Sequence, residues 1–476
     1  MNDLYYSGEL LELLSDSVPI EDVKPTINVT SDEIKDFIES REHLECIISV
    51  RSMLVAQKSY QNEKRFLCPP PTIELLNDEG WTNFAAKFAS QLRRGNIIYA
   101  GGDNNQNNEF LKSVEETYYQ EATEFTGVAY FAQNKQGPVF RIIFGGPTKI
   151  GILKHLFITD ASKCRRTQVA ADMRFCCGQF IGSFKSGVLN VISKPSKKVC
   201  RLSKQCQFVN IKSGFDIALF SRMRTMMSQC KYVDFVGGDF VASTEKWGCL
   251  EIYLVDEEYV DVDPSKFQYK EGILHYGDIV KIVASESGVS LPEVKILKAG
   301  KNIVDDACLA DRLEPICQMH KVCFQLTSDR TKFLSLESNL VNISNAIPQE
   351  DGTLKVGIFN IFQIVTVIDN KSTFYCSRDV PALGVTPLPR IKDIIKVGAG
   401  PSFRLEITGE NFSPNLTFWF GDFRVETMHK SNQLITATLT EKEFNHAAFR
   451  AREKDRCVYI SRDDGVIYPS DFILEM

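Results

Sequence analysis

The chain has 476 residues, 43% hydrophobic and 24% charged, and a formal net charge of −6. This length is sufficient for about three domains, each with its own core. No run of about eighteen apolar residues occurs, which excludes a transmembrane helix of ordinary length. The first residues lack the pattern of a secretory signal, and the 14 cysteines show no disulfide framework, so we expect free thiols in a reducing compartment.

The negative charge is concentrated near the N-terminus. Residues 1–47 contain twelve Asp or Glu and three Lys or Arg. This segment therefore carries −9, and because the whole chain carries −6, the remainder has an excess of three positive charges. Residues 1–30 also lack periodicity, and we predict that this acidic segment is disordered. The uneven charge removes the objection that an acidic chain is poorly suited to nucleic acid.

The first predicted element is a helix over residues 31–40. Ser31 is a suitable N-cap and is followed by acidic first-turn positions. Ile34, Phe37 and Ile38 recur at the spacing of one helix face. The pattern predicts a short amphipathic helix, after which strand signals dominate.

A buried strand is predicted over residues 44–50, and a polar, basic run follows from Val55 to Pro71. The run contains Lys64 and Arg65 and ends in three prolines, which neither a helix nor a central strand accepts. We expect a loop held at both ends. Such a loop either presents side chains to a partner or simply connects two elements.

Three further basic segments follow, at residues 163–166, 193–204 and 221–225. A single charged run is usually a solvated face. Several runs together favour nucleic acid, because useful affinity requires several phosphates to be neutralised at once.

Residues 207–375 consist of short alternating segments separated by Gly, Asp and Ser turns, which is typical of a closed all-β barrel or trefoil. A segment with three prolines, residues 380–390, marks a domain boundary. About ninety residues with sandwich-like strands then complete the chain.

Evidence for an enzyme or a metal site is weak. No Gly-x-Ser-x-Gly motif, phosphate loop or paired metal motif occurs. Cys317, His320 and Cys323 could hold zinc, but they lack a matching second pair of ligands, so buried thiols and an isolated histidine are the better interpretation. We therefore expect no catalytic residue, no cofactor and no metal.

Several motifs occur together and in a fixed order. They are the Val55–Pro71 run, Val191-Ile-Ser-Lys-Pro-Ser-Lys-Lys198, Leu219-Phe-Ser-Arg-Met-Arg224, the Gly-Gly-x-Phe-x-Ala-Ser segment ending at Trp247-Gly248, Leu274-His-Tyr-Gly277, Thr408-Gly-Glu-Asn-Phe-Ser-Pro-Asn415, Trp419-Phe-Gly421 and Asp464-Gly-Val-Ile-Tyr468. This set resembles the CSL family, the Notch-pathway transcription factors typified by Suppressor of Hairless. The resemblance covers about residues 30–476.

The resemblance implies an all-β protein with a Rel-like N-terminal β-sandwich, a central β-trefoil and a C-terminal immunoglobulin-like IPT sandwich. The boundaries that we assign are 1–30 for the acidic segment, 31–206 for the Rel-like domain with an insertion near 109–147, 207–379 for the trefoil, 380–390 for the linker and 391–476 for the IPT domain. The family binds a GTGGGAA-type duplex site as a monomer in the nucleus. It represses with corepressors and activates when the Notch intracellular domain and a Mastermind-like coactivator join.

The resemblance also assigns roles to individual residues. In the major groove, Arg65 and Glu63 would contact bases, because arginine can bridge guanine N7 and O6 and a carboxylate can accept from cytosine. The other residues that it places on DNA are Lys58, Tyr60, Lys64, Ser193, Lys194, Lys197, Lys198 and Arg222. At the minor groove the family has serine and glutamine where this chain has Thr225 and Met226, and methionine cannot make that hydrogen bond.

The family trefoil also holds an apolar pocket for a Notch peptide. Its positions fall on Phe267, Tyr269 and Ser290 here, with tyrosine in place of valine and serine in place of alanine. Ordinary strand aromatics explain these residues equally well. A second hypothesis therefore stays open, in which the chain is an intracellular corepressor scaffold with weakened DNA specificity.

Overall fold

The structure is a computed structural model. It describes residues 28–59, 64–97, 120–133, 139–144, 149–159, 164–193, 210–222, 230–256, 269–285, 287–300, 302–308, 314–398, 402–440, 442 and 456–473. Most of these residues form β-strands. Within these ranges, no helix has both the length and the apolar character needed to span a membrane.

In its described residues, the N-terminal region combines three helices with ten strands. The helices are α1 Ser31–Glu39, α2 Arg41–Leu44 and α3 Asp78–Ile97. The strands are β1 Cys46–Met53, β2 Val55–Gln57, β3 Thr72–Leu76, β4 Phe125–Phe131, β5 Phe140–Ile143, β6 Ile150–Ile152, β7 Arg166–Thr167, β8 Val169–Phe175, β9 Phe180–Lys185 and β10 Leu189–Ile192. The predicted strand over 44–50 begins two residues late, because Leu44 ends α2.

These strands form three groups: β5-β4-β8-β9, β2-β10-β7, and β1 with β3 and β6. An aromatic core holds α3 against them, with Trp81 packed on Phe125 and Phe88 stacked on Phe175 at ring distances of 5.1 and 4.1 Å. The insertion expected near 109–147 stays a prediction, but its described part supplies β4 and β5 to the first sheet.

Where the structure describes it, the middle region contributes fourteen strands. They are β11 Phe215–Arg222, β12 Cys230–Val236, β13 Asp239–Ser243, β14 Leu250–Val255, β15 Tyr269–Lys270, β16 Ile279–Ala284, β17 Val294–Lys298, β18 Ile303–Val304, β19 Lys321–Leu326, β20 Lys332–Ser335, β21 Asn342–Asn345, β22 Ile347–Pro348, β23 Leu354–Lys355 and β24 Phe362–Cys376. Alternate residues of these strands fill a separate core that includes Ile217, Leu250, Ile282 and Phe324. The period-two pattern of these strands arises because each strand has one buried face.

Strand β24 joins the regions of the chain. Its first residues pair with β11 and β19 of the middle region, and residues 367–374 then pair with β1. Its last two residues pair with β32 of the C-terminal region, Val466–Ile473. Fifteen residues of one strand thus fix the register of three parts of the molecule.

The C-terminal region is a sandwich of two antiparallel sheets. Besides β32, its strands are β25 Arg390–Val397, β26 Ser402–Glu410, β27 Leu416–Phe420, β28 Phe423–Val425, β29 Thr427–Ser431, β30 Leu434–Thr440 and β31 Cys457–Arg462. One sheet has the order β25-β26-β30-β29, and in the other β27 pairs with β28 and β31, which pairs with β32. Leu405 and Ile407 from the first sheet share a core with Phe418 and Ile460 from the second.

The predicted first helix is confirmed as α1, with Ile34, Phe37 and Ile38 buried. Its N-cap is Thr30 rather than Ser31. The Thr30 hydroxyl accepts from the backbone N–H of Glu33, and the Glu33 carboxylate accepts from the backbone N–H of Thr30, which completes a capping box. The acidic segment 1–30 lies outside the described residues except for its last three positions.

The predicted linker, residues 380–390, is closely packed. Val380 and Val385 are buried, and the Val385 N–H donates to the Ile181 carbonyl of β9. The Tyr468 hydroxyl of β32 donates to the Val385 carbonyl at 2.7 Å. The segment is therefore held by both the N-terminal region and the sandwich.

Candidate nucleic-acid interface

Two of the predicted DNA-contacting segments leave the same edge of one sheet. Strand β2 pairs with β10 in parallel, Gln57 opposite Ile192, so both strands end at the same side. The Lys58 N–H donates to the Ile192 carbonyl at 3.0 Å, and the Gln57 side chain donates to the Ser193 carbonyl at 2.9 Å. Lys58 and Ser193 are thereby brought together although 135 positions separate them in the sequence.

A third basic segment joins them. Strand β7 is antiparallel to β10, with Arg166 opposite Asn190, and the Val191 N–H donates to the Arg165 carbonyl at 2.9 Å. The start of β7 therefore lies beside the end of β10, and Arg165 and Arg166 are exposed there. We call this group, Lys58, Arg165, Arg166 and Ser193, the basic edge.

The loop between β2 and β3, the Lys58–Pro71 loop, is hydrogen-bonded to its own first residues. The Arg65 N–H donates to the Ser59 hydroxyl at 2.9 Å, and the Ser59 N–H donates to the Ile158 carbonyl at 2.8 Å. The exposed Lys64 ammonium lies 5.4 Å from the centre of the Phe157 ring, within cation–π range. These bonds fix the positions of Lys64 and Arg65 next to the basic edge.

The second half of the loop is not exposed, contrary to the interpretation of Val55–Pro71 as a presented surface. Pro69, Pro70 and Pro71 are buried, and the Trp247 indole of the middle region donates to the Pro70 carbonyl at 2.7 Å. The prolines are covered because this segment forms the contact between the N-terminal and middle regions. Among the described residues of the run, Lys64 is exposed and Lys58 and Arg65 are half-buried, so these basic side chains remain available to a partner.

The fourth basic segment reaches the same area through the middle region. Arg222, half-buried at the end of β11, lies opposite Cys230 at the start of β12. The Cys230 sulfur lies 3.9 Å from the sulfur of Cys68, which is three positions beyond Arg65. The described ends of all four basic segments therefore belong to one part of the molecule.

Several predicted contact residues lie outside the described residues, and their roles stay predictions. They are Tyr60, Glu63, Lys194, Lys197, Lys198, Thr225, Met226 and Phe267. The charge pattern did not predict the pairing of β2, β10 and β7, since strands of two to four residues carry little periodic signal.

The remaining peptide-pocket residues are not brought into contact. Tyr269 lies opposite Val255 on β14, is 54% exposed and packs on Tyr253 at 4.7 Å. Ser290 bridges to Val283, which lies opposite Glu251. Four positions of β14, about 13 Å at the usual strand rise, separate the two places. The pocket assignment stays a prediction.

Side chains of the candidate zinc motif make contacts with other residues instead. The Tyr276 hydroxyl lies 2.9 Å from His320 Nδ1, and the Cys317 thiol lies 3.3 Å from Asn210 Oδ1. Burial raises the pKa of the Cys323 thiol, which opposes the thiolate form that zinc requires. No group of three or more potential metal ligands occurs among the described residues.

Three family models match consecutive parts of the chain. A LAG1 DNA-binding model matches residues 48–205, a beta-trefoil DNA-binding domain matches 236–354, and a TIG domain matches 388–476. The chain belongs to the CSL family. The all-β fold class with Rel-like, trefoil and immunoglobulin-like parts is thereby confirmed. CSL proteins are DNA-binding transcription factors rather than enzymes, and DNA binding is a property of the matched domains.

The chain is also similar to several curated proteins. The mouse recombining binding protein suppressor of hairless-like protein is 29% identical over 430 residues, covering 88% of this chain and 77% of the mouse protein. The human protein of that name is 29% identical over 444 residues, covering 91% and 79%. Transcription factor cbf11 of Schizosaccharomyces pombe is 23% identical over 284 residues, covering 58% and 39%.

Among solved structures, the plexin A4 extracellular region aligns at 9% identity with a TM-score of 0.13, covering 72% of this chain and 45% of that one. This score carries no argument about the fold.

Proposed function

We propose that the chain binds a GTGGGAA-type duplex as a monomer in the nucleus and switches between corepressor and coactivator complexes. The coactivator complex would contain a Notch-type intracellular domain and a Mastermind-like protein. Membership of the CSL family supports the class of partner. The observation that carries the DNA site is the convergence of separate basic segments on the basic edge.

The geometry supports a division of labour among the segments. Lys58, Arg165 and Arg166 at the basic edge would neutralise phosphates and set the register on the duplex. Arg65, fixed through Ser59, would bridge guanine N7 and O6 with two donors.

The remaining contact residues are assigned from the motifs, and most of them lie outside the described ranges. Glu63 would accept from a cytosine amino group, and Tyr60 would contact phosphate. Ser193 begins the second major-groove segment, which continues to Lys198. Arg222 would contact the backbone, and Met226 restricts the minor-groove contact to an apolar one.

The test is equilibrium binding of the purified chain to a GTGGGAA duplex and to a scrambled duplex over a salt series. Arg65→Ala should weaken the specific complex by about 1–3 kcal/mol and relax the preference at one guanine. Arg166→Ala should weaken both complexes similarly and reduce the salt slope by about one. Arg424→Ala, an exposed arginine on the C-terminal sandwich, should change neither.

Equal affinities for the two duplexes would overturn the proposal. Corepressor binding that persisted in that case would favour the scaffold hypothesis, which Met226 motivates. Preference for the specific duplex that depended on Arg65 would eliminate the scaffold hypothesis.

A further inference from the structure

Two buried thiols face each other behind the proposed DNA-binding surface. Cys68 and Cys230 are 162 positions apart in sequence, yet their sulfur atoms are 3.9 Å apart. Cys230 is fully buried, whereas Cys68 retains 6% of its surface. Both thiols are therefore shielded from solvent, so an oxidant that reaches them must be small.

The surroundings of the thiol pair favour the thiolate of Cys230, whereas the hydrogen bond to Cys230 and burial raise the pKa of Cys68 and keep that thiol protonated. The hydrogen bond from the Cys68 thiol, supported by the charge of Arg222, lowers the pKa of Cys230 to about 7 despite burial. The Tyr232 hydroxyl lies 3.8 Å from the Cys68 sulfur and contributes a further polar contact. Thiolate is the nucleophilic form of cysteine, and low-pKa thiols with a second thiol nearby are the ones that oxidise reversibly.

We propose that Cys68 and Cys230 are a reversible oxidation site, which hydrogen peroxide converts to a disulfide joining the Lys58–Pro71 loop to the middle region. One thiolate attacks peroxide, becomes a sulfenic acid and releases hydroxide. The second sulfur then attacks the sulfenic sulfur, the S–S bond forms, and the hydroxyl leaves as water. Two thiols and one peroxide give one disulfide and two waters, so the sulfur atoms lose two electrons and the peroxide gains them.

Because of where the thiol pair lies, its oxidation should affect DNA binding. The sulfur atoms must approach from 3.9 Å to about 2 Å. Cys68 is three positions beyond Arg65, and Cys230 lies opposite Arg222, so the approach draws two proposed DNA-contacting arginines toward each other. Base recognition by a bidentate side chain depends on its placement. This consequence rests on the proposed DNA binding, and we expect oxidation to weaken the specific complex about tenfold, the loss of roughly one base contact.

The experiment treats the full chain with hydrogen peroxide, alkylates the remaining thiols and maps peptides by mass spectrometry with and without reductant. A Cys68–Cys230 linked peptide that disappears on reduction is expected. Duplex affinity is then measured for reduced, oxidised and re-reduced protein. Cys68→Ser and Cys230→Ser should each bind like the reduced chain and lose the response to peroxide.

The exposed Cys176 and Cys177 provide the control, since the variant Cys176→Ser/Cys177→Ser should keep the full response. Oxidation of these exposed thiols without a Cys68–Cys230 peptide would overturn the oxidation site. A linked peptide with unchanged duplex affinity would overturn its effect on DNA. If the reduced chain failed to prefer the GTGGGAA duplex, the proposed function would fail, whereas the peptide map would still decide the disulfide.

Discussion

Two junctions hold distant parts of this chain together, and they differ in kind. The thiol–indole junction joins the N-terminal and middle regions through Cys68, Pro70, Cys230, Tyr232 and Trp247. It consists of polar contacts between buried groups. It also lies directly behind Arg65 and Arg222.

The aromatic junction joins α1 to the C-terminal sandwich. Phe37 stacks on Tyr375 at 5.0 Å and meets Tyr459 edge-on at 6.0 Å, with Trp419 in the same cluster. The ion pair of Glu33 with Arg378 lies beside these rings. No segment proposed to contact DNA belongs to it. Substitutions at the aromatic junction should therefore change stability and leave DNA binding unchanged.

The largest expected effect is at the aromatic junction. Phe37→Ala removes a fully buried ring and should lower the free energy of unfolding by about 3–5 kcal/mol, because a cavity is left against the sandwich. Calorimetry would show a lower transition temperature, and duplex affinity measured well below the transition should be unchanged. Lys35→Ala, exposed on the same helix, is the matched control. A loss of duplex affinity in the folded Phe37→Ala protein would break the comparison.

A smaller loss of stability with a loss of function is expected at the thiol–indole junction. Trp247→Phe removes the donor to the buried Pro70 carbonyl and should cost about 1–3 kcal/mol. Because this bond anchors the exit of the Lys58–Pro71 loop, affinity for the specific duplex should also fall.

Trp419→Phe provides the control for that prediction. Its indole donates to the Ser461 hydroxyl at 2.8 Å inside the sandwich, so it loses a comparable bond far from the loop in sequence. Titration of both variants with the GTGGGAA duplex should show weaker binding by Trp247→Phe than by Trp419→Phe. Equal affinities would show that anchoring the loop exit contributes nothing to DNA binding.

The two junctions also mark how far the sequence predicts the structure. The periodicity of Ile34, Phe37 and Ile38 predicted α1, because one helix face is a local property. It could not predict that this face packs on Trp419 and Tyr459, about four hundred positions further along the chain. Family motifs identified Arg65 as a candidate site residue, whereas local charge alone only suggested nucleic acid.

The arrangement around the candidate site could not be predicted from local sequence either, because it depends on contacts between distant segments. Pairing of β2 with β10 depends on long-range register, which strands of three and four residues do not encode by pattern. The proline run is polar in context and was interpreted as exposed, but Trp247 covers it. Burial of such a segment is decided by its distant partner rather than by its own composition.

The smallest expected effect tests the Glu33–Arg378 ion pair beside the aromatic junction. Burial acts to raise the pKa of Glu33, but hydrogen bonds from Arg378 and from the Thr30 backbone outweigh it and lower that pKa below the ordinary value of 4.5. The folded state therefore binds this proton less readily than the unfolded state. The carboxylate stabilises the fold above the ordinary glutamate pKa, and this contribution is lost as the pH falls through the lowered value.

Glu33→Gln should accordingly cost about 1 kcal/mol near neutral pH, since the pair is only partly buried. Urea unfolding of both proteins between about pH 7 and pH 3.5 should show their difference shrinking in the acid part of the range. Asp36→Asn, which changes an exposed side chain on the same helix, is the matched control. A difference that stayed constant with pH would mean that Glu33 acts through packing or helix capping rather than through its charge. Duplex affinity should be unaffected throughout, because this ion pair belongs to the aromatic junction.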